Sequence, residues 1–424
     1  MLESMRIQGG NILRGEIKIS GAKNLALPAL VASILSEESI ILDNVPNLAD
    51  ISSMLELLEY LGSDIRCIGK HKIDICLKNL KFFEAPYDFV RKMRASILTL
   101  GPLVGRFGRA SVSLPGGCAI GTRGVDLHLK ALESLGASIE IDNGYIHADA
   151  KDGLIGCDIT FPISTVTGTE NIMMAACFAK GTTRLINSAM EPEVVEFANL
   201  LNLMGAKISG HGTSIITIEG VQKLHGCEYE IIPDRIEAGT YAIASAMTNG
   251  KILLKGAKYD HLTTFFDTLR YVGVSSDILD DGILVYRDND FEKMKGFDIQ
   301  TSPYPGFPTD LQAQYMVLMT ICEGSSSITE NIFENRFMHV PELIRMGANI
   351  SIHGRTAIIN GVEYLNGAQV MATDLRASVS LVLAGLSAKG ETIVNRLYHL
   401  DRGYDDIDNK LISCGAVIER FKSE

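Results

Sequence analysis

Apolar positions along the chain fall into two helical patterns that alternate. In the first, apolar residues return every three or four positions and leave a polar face, as in ISSMLELLEYLG (51–62) and DLHLKALESLG (126–136). Such segments predict amphipathic helices lying on a core. In the second, the run is apolar nearly all round and rich in small residues: LALPALVASIL (25–35), ASILTLGPLV (95–104), NIMMAACFAKG (171–181), TYAIASAMTNG (240–250), LQAQYMVLMTICEG (311–324) and ASVSLVLAGLSAKG (377–390). A helix without a wide polar face belongs inside, buried on every side.

A third signal punctuates these. An apolar residue, Gly, a small residue and a short β-prone run recur as YLGSDI (Gly62), SLGASI (Gly136), LMGAKI (Gly205), YVGVSS (Gly273), RMGANI (Gly347) and SCGAVI (Gly415), with gaps of 74, 69, 68, 74 and 68 residues. Each glycine reads as a helix ending in a left-handed residue before a strand begins. Gly62 to Gly273 and Gly136 to Gly347 are both 211 residues, and Gly205 to Gly415 is 210. The spacing predicts six copies of one α/β unit of about 70 residues, arranged as two domains of three. With one apolar helix per copy buried at the middle of its domain, the arrangement is an inside-out α/β one.

Composition bounds the function. The 424 residues are 46% hydrophobic and 21% charged, which is globular composition. A net charge of −12 and the absence of a long Lys/Arg run argue against nucleic acid as the main partner. No apolar run reaches the roughly 18 residues of a membrane span, and MLESMRIQGG lacks the apolar core of a secretory signal. The eight cysteines form no CxxC and the histidines no HExxH. The expectation is therefore reduced thiols, no structural metal and a cytoplasmic protein. No cofactor motif is present: GxGxxG is absent and GSDIRCIGK (62–70) has the wrong gap for a P-loop.

Charged residues gather at the starts of the apolar helices: Lys23 with Asn24, Arg94, Glu170, Arg235 with Glu237, Asp310, and Asp374 with Arg376. Capping explains Asp and Asn there, but a cation at a helix start is disfavoured by the dipole. Lys23, Arg94 and Arg376 therefore suggest a polar cleft. LPGGCAIGTRGVDLH (114–128) sets Cys118 among glycines with Arg123 five residues on. Such a thiol is either inert or, in a mobile loop beside a cation, reactive. Cys177 and Cys322, inside apolar helices, read as inert. Asp310, after two prolines in YPGFPTD (304–310), either caps a helix or serves as a fixed carboxylate able to take a proton. With Arg336 and Arg402 the candidate cations number six, enough for a doubly anionic ligand.

The motifs KNLALP (23–28), MRASILTLGPL (93–103), LPGGCAIGTRGVDLH, PGFPTD (305–310), ENRFMHVPEL (334–343), DLRAS and DRGY (401–404), in this order, resemble the UDP-N-acetylglucosamine enolpyruvyl transferase family along essentially the whole chain. The resemblance implies two inside-out α/β barrels of three repeats each, one holding residues 23–232 and the other 1–22 with 233–424. It implies transfer of enolpyruvyl from phosphoenolpyruvate to the sugar 3′-hydroxyl, the first committed step of peptidoglycan precursor synthesis, without cofactor. A homo-oligomer is left open. It assigns Lys23, Asn24, Arg123 and Arg402 to phosphoenolpyruvate. Cys118 becomes the proton donor and the thiol alkylated by fosfomycin, with Asp310 as base. Arg94, Arg123 to Leu127 (Gly124, Val125 and Asp126 between them), Ile163, Ser164, Thr165, Val166, Asp310 and Ile332 fall to the nucleotide sugar, with Arg336, Asp374 and Arg376 in the same site. Catalytic roles thus fall on Cys118, Asp310, Lys23 and Arg402. Two positions depart from the family pattern: Gly124 stands where Pro is usual, and Thr167 where Gly is common.

Overall fold

The computed structural model describes residues 2–115, 124–287 and 293–423. Their contacts divide the chain into two compact units. One holds residues 21–115 and 124–232, the other 2–20, 233–287 and 293–423. Each has its own hydrophobic core.

Six four-stranded sheets share one plan. In the sheet of Asp158–Thr160, Thr182–Ile186, Ile215–Glu219 and Lys207–Ser209, the first pair is parallel and the other two are antiparallel. The apolar helix Val166–Ala176 makes the crossover between the parallel strands. The amphipathic helix Pro192–Leu203 then leads into the hairpin. This βαβ step followed by αββ is the repeat announced by the glycines, and parallel neighbours need such a crossover. Two repeats are closed by distant chain. Arg14–Lys18 runs beside Lys251–Lys255, and Cys227–Glu230 beside Ile40–Asp43. Leu2–Gln8 completes the last sheet, between Glu391–Asn395 and Val417–Ser423.

The six apolar segments are central helices, most of whose residues are buried. They are Lys23–Val31, Leu100–Phe107, Val166–Ala176, Arg235–Met247, Gln312–Met319 and Leu375–Ser387. The last three pack on one another pairwise. Burying one Leu, Ile or Met side chain is worth about 2 kcal/mol, so packing and not propensity holds these helices. That is why Lys23–Val31 tolerates Pro28 inside it, a substitution costing ~3 kcal/mol in an exposed helix. The second apolar segment is not one α-helix: Arg94–Thr99 is 3₁₀, becoming α only from Leu100. The repeat glycines 62, 136, 205, 273, 347 and 415 all have φ between +96° and +118°, the left-handed helix ending expected of them.

Candidate functional site

In the unit holding residues 233–423, the loop before helix Gln312–Met319 carries Asp310. The residue lies inside a 3₁₀ turn, Thr309–Leu311, and its side chain caps nothing. Its carboxylate goes to two buried arginines. Arg336 Nη2 donates to Oδ1 at 2.6 Å and Arg376 Nη2 to Oδ2 at 3.0 Å. The aspartate side chain is 25% exposed while Arg336 and Arg376 are 5% and 7% exposed, so the carboxylate is the accessible member of the triad. Burial alone would raise its pKa. The Arg376 and Arg336 charges and their hydrogen bonds override that and hold it far below the usual carboxylate range.

Each arginine is fixed by its second nitrogen. Arg336 Nη1 donates to Thr309 Oγ1 (2.8 Å) and Arg376 Nη1 to Tyr404 OH (3.1 Å). Tyr404 OH is also within 2.9 Å of Thr240 Oγ1, and Gln314 Nε2 donates to both. Behind Thr309, the buried Glu330 carboxylate accepts from Thr309 and Thr301 hydroxyls and from the Ile332 and Phe333 amides. Ile332, one of the expected sugar-nucleotide contacts, is thereby held in a rigid turn. Asp374 caps helix Leu375–Ser387, accepting from Arg376 N and Ala377 N. Arg402 lies in the turn after Leu397–His399, where burial and then its charge lower the His399 pKa.

In the other unit, Lys23 opens its helix buried, with Nζ 2.5 Å from the buried Asp50 carboxylate. The ion pair offsets the unfavourable dipole. Asn24 follows, half-buried. Arg94 Nη2 approaches the Gly124 carbonyl at 3.5 Å. Gly124 and Val125 lead into helix Asp126–Ser134, with Asp126 in its favourable first turn and Leu127 half-buried. Ile163 is exposed, Ser164 is half-buried, and Thr165 caps helix Val166–Ala176 through Gly168 N.

These last two segments are tied together by His128. Asn171 Oδ1 accepts from Gly101 N (2.6 Å), which fixes its amide so that Nδ2 donates to Ile97 O and to His128 Nδ1. Nδ1 must then be the ring's acceptor, so the proton sits on Nε2, which faces Thr167 Oγ1 at 3.5 Å. Burial, then Arg94, push the His128 pKa down to about 4 against a smaller Asp126 pull. The ring is neutral and acts as a brace. The hydroxyl of Thr167 is its partner.

Several expectations change. Glu170 does not begin a helix: Val166–Ala176 starts four residues earlier and buries it. Burial, then the Glu193 and Glu191 charges, raise its pKa well above the ordinary value. Glu237 is buried too, bound to Lys410 Nζ (2.6 Å) and Ser20 N (2.7 Å). Asp50, His128, Asn171, Glu330 and Tyr404 were not singled out from the sequence. His128 and Tyr404 do lie in quoted motifs, but no spacing marks Asp50 or Glu330. Cys177 and Cys322 are buried, with burial pushing both thiols up to about 12. Cys118 and Arg123 lie outside the described residues. Among the described residues no group of His, Cys, Asp and Glu could hold a metal, and no helix is long and apolar enough to cross a membrane.

The family model named EPSP synthase (3-phosphoshikimate 1-carboxyvinyltransferase) matches residues 7–411. The UDP-N-acetylglucosamine 1-carboxyvinyltransferase of Granulibacter bethesdensis is 56% identical over 99% of this chain and 100% of its own. That of Acidiphilium cryptum is 55% identical over the same shares. Among solved structures, the enolpyruvyl transferase NikO from Streptomyces tendae matches with a TM-score of 0.89 at 23% identity, covering both chains fully. The EPSP synthase from Acinetobacter baumannii matches with a TM-score of 0.77 at 16% identity, over 99% of this chain and 100% of that one. At those identities the structural matches speak to fold alone. The family model and the full-length relatives speak to descent, and the chain belongs to the EPSP synthase family of enolpyruvyl transferases.

Proposed function

We propose that this protein transfers the enolpyruvyl group of phosphoenolpyruvate to the 3′-hydroxyl of UDP-N-acetylglucosamine with release of phosphate, in the cytoplasm, as the step that commits the sugar nucleotide to peptidoglycan synthesis. The observation that carries this is end-to-end identity of 55–56% with relatives bearing that activity in their names. The domains read as 23–232 and 1–22 with 233–424.

The chemistry follows from what the substrates need. Protonation of the phosphoenolpyruvate methylene carbon builds positive charge at C2, and Cys118 supplies that proton. The sugar hydroxyl oxygen bonds to C2 as its proton leaves to Asp310, giving a tetrahedral adduct. The adduct then returns a proton from the new methyl group to the Cys118 thiolate left by the first step and breaks its C2–O bond to phosphate, restoring the double bond. Lys23, Arg123 and Arg402 stabilise the charge on the departing phosphate.

The geometry supports Asp310 as a group that is ionised at every physiological pH and so can only accept a proton. Clamped by two arginines it is a weak base at rest. The brace through His128, Asn171 and Thr167 supports the assignment of 124–127 and 163–166 to the nucleotide, since it fixes both segments to one helix frame. A second reading, with a phosphorylated shikimate as acceptor, is favoured only by the family model's name. The test is product identity: the enzyme, phosphoenolpyruvate and UDP-N-acetylglucosamine should yield the enolpyruvyl ether of the nucleotide sugar by mass spectrometry. No enolpyruvyl ether of the nucleotide sugar, with an enolpyruvyl product formed only from the shikimate acceptor, overturns the proposal.

A further inference from the structure

The internal repeats provide a control on one another. Four of them approach the parallel edge of their sheet through the same step: Leu154-Ile155-Gly156, Leu224-His225-Gly226, Met294-Lys295-Gly296 and Leu365-Asn366-Gly367. The glycine is there for a steric reason. A Cβ on Gly156, Gly226 or Gly367 would lie 2.5, 2.2 or 2.2 Å from the carbonyl oxygen of Thr182, Ser39 or Glu391, and on Gly296 it would lie 3.1 Å from that of Ser325. In the remaining repeat of this type the step reads Leu80-Lys81-Phe82. An aromatic residue stands where four sister repeats need no side chain. It is 47% exposed and stacks on Tyr60, ring centroids 4.7 Å apart and planes 15° apart. Tyr60 in turn packs against the core, yet about half of Phe82 stays in solvent, and a local rule broken at such an exposed place points to a functional position.

Phe82 walls a trough of about 570 Å³, within the range of ligand sites. The floor is the solvent face of the sheet formed by Glu84–Ala85, Arg109–Ser113, Tyr145–Asp149 and Ser138–Asp142. The charges on it are not balanced. Arg109 is already engaged, its guanidinium 3.8 Å from the Phe83 ring centre. Asp149 is met by Lys151 at 3.6 Å. Glu84 and Glu140 line the trough and have no ion-pair partner among the described residues. Ser111 Oγ, also in the trough, is buried without a hydrogen-bond partner.

A trough lined by stacked aromatic rings and by two carboxylates without an ion-pair partner among the described residues is complementary to a cation on a planar or apolar body. Arginine fits this best, because its guanidinium stacks on aromatic faces and pairs with carboxylates at its edge. Arg109 on Phe83 shows the stacking half of that contact within the trough itself. An acidic protein of net charge −12 adds attraction for a basic partner. We propose that this trough is a docking site for an extended, arginine-bearing polypeptide segment of a partner protein. One arginine lies against the Tyr60–Phe82 wall with its charge answered by Glu84 and Glu140.

The experiment uses the full-length protein and a labelled acetyl-Arg-Gly-Arg-amide peptide, read by fluorescence anisotropy at low salt, with acetyl-Glu-Gly-Glu-amide as the opposite-charge probe. Phe82→Gly restores the residue the sister repeats use and should fold. Glu140→Gln removes one carboxylate at constant size. Each should weaken binding of the arginine peptide by about fivefold or more, as expected for loss of one cation–π or charge contact. Glu219→Gln, on the neighbouring sheet, should leave it unchanged, as should any of the three for enolpyruvyl transfer. Affinities within twofold for wild type, Phe82→Gly and Glu140→Gln, an equal loss in Glu219→Gln, equal binding of the glutamate peptide, or no saturable binding would each overturn the proposal.

Discussion

Protonating His128 should destabilise the fold as pH falls below neutrality. The ring is 3% exposed, its Nδ1 accepts from an Asn171 amide whose orientation Gly101 fixes, and a second proton on the ring would face that amide's N–H. Its pKa is about 4 in the folded protein, against about 6.5 in an unfolded chain. The folded value is the lower one, so the unfolded state binds the proton first. Stability is therefore whole above pH 6.5, falls as pH drops from 6.5 to 4, and is flat below. The gap of about 2.5 units corresponds to about 3 kcal/mol in full, and about 2 kcal/mol between pH 7 and pH 5.

His128→Gln can keep an acceptor toward Asn171 and a donor toward Thr167 but cannot titrate. Its stability at pH 7 will be lower, so the informative quantity is the change with pH. Urea unfolding followed by far-UV circular dichroism, since the chain has no tryptophan, should show about 2 kcal/mol less acid loss in the variant between pH 7 and 5. His339, buried in the other unit with its pKa also pushed down to about 4, contributes its own loss to both proteins and cancels in the difference. Equal losses in the two proteins would refute the neutral brace.

Asp310→Ala should remove about 3 kcal/mol of stability, because it leaves Arg336 and Arg376 buried without their counter-charge. It should also abolish most turnover, and denaturant melts with steady-state rates check both. The stability that Asp310 confers is present above the unfolded carboxylate pKa of about 3.9 and is lost as pH falls below it toward the depressed folded value. Arg402→Ala should raise the phosphoenolpyruvate requirement and lower kcat while leaving UDP-N-acetylglucosamine binding to the free enzyme unchanged, as read by calorimetry and initial rates. Cys118 should be the cysteine that fosfomycin labels, mapped by peptide mass. Cys118→Ala should lose labelling and most turnover, while Cys118→Asp, still a proton donor, should keep activity, resist the drug and work best at lower pH.

Much of the fold was legible because it rests on backbone geometry and burial. Six glycines at near-equal spacing forced six left-handed helix endings, and six helices without a polar face had nowhere to go but inside. The start of Val166–Ala176 was misread because Glu170 is a buried carboxylate inside a central helix. A charge in an apolar run looks like an end, and only the fold shows that burial first, then the Glu193 and Glu191 charges, raise its pKa well above the ordinary value. Asp310 could be read as cap or base from its place after two prolines. What decides its state is Arg336 and Arg376, 26 and 66 residues away. The supports of the site were the least legible. Asp50 under Lys23, Glu330 under Ile332 and Asn171 under His128 carry no local pattern, because their partners are brought to them by the repeat stacking and not by spacing. Phe82 is the opposite case. It becomes visible only once the repeats are laid over one another and four glycines stand at its place.

The most direct test of the central claim is phosphate release from phosphoenolpyruvate by the purified enzyme with no acceptor, with UDP-N-acetylglucosamine, and with shikimate 3-phosphate. Release that depends on UDP-N-acetylglucosamine and is at background with shikimate 3-phosphate is the predicted result. Release driven by shikimate 3-phosphate, or none with the nucleotide sugar, would contradict it.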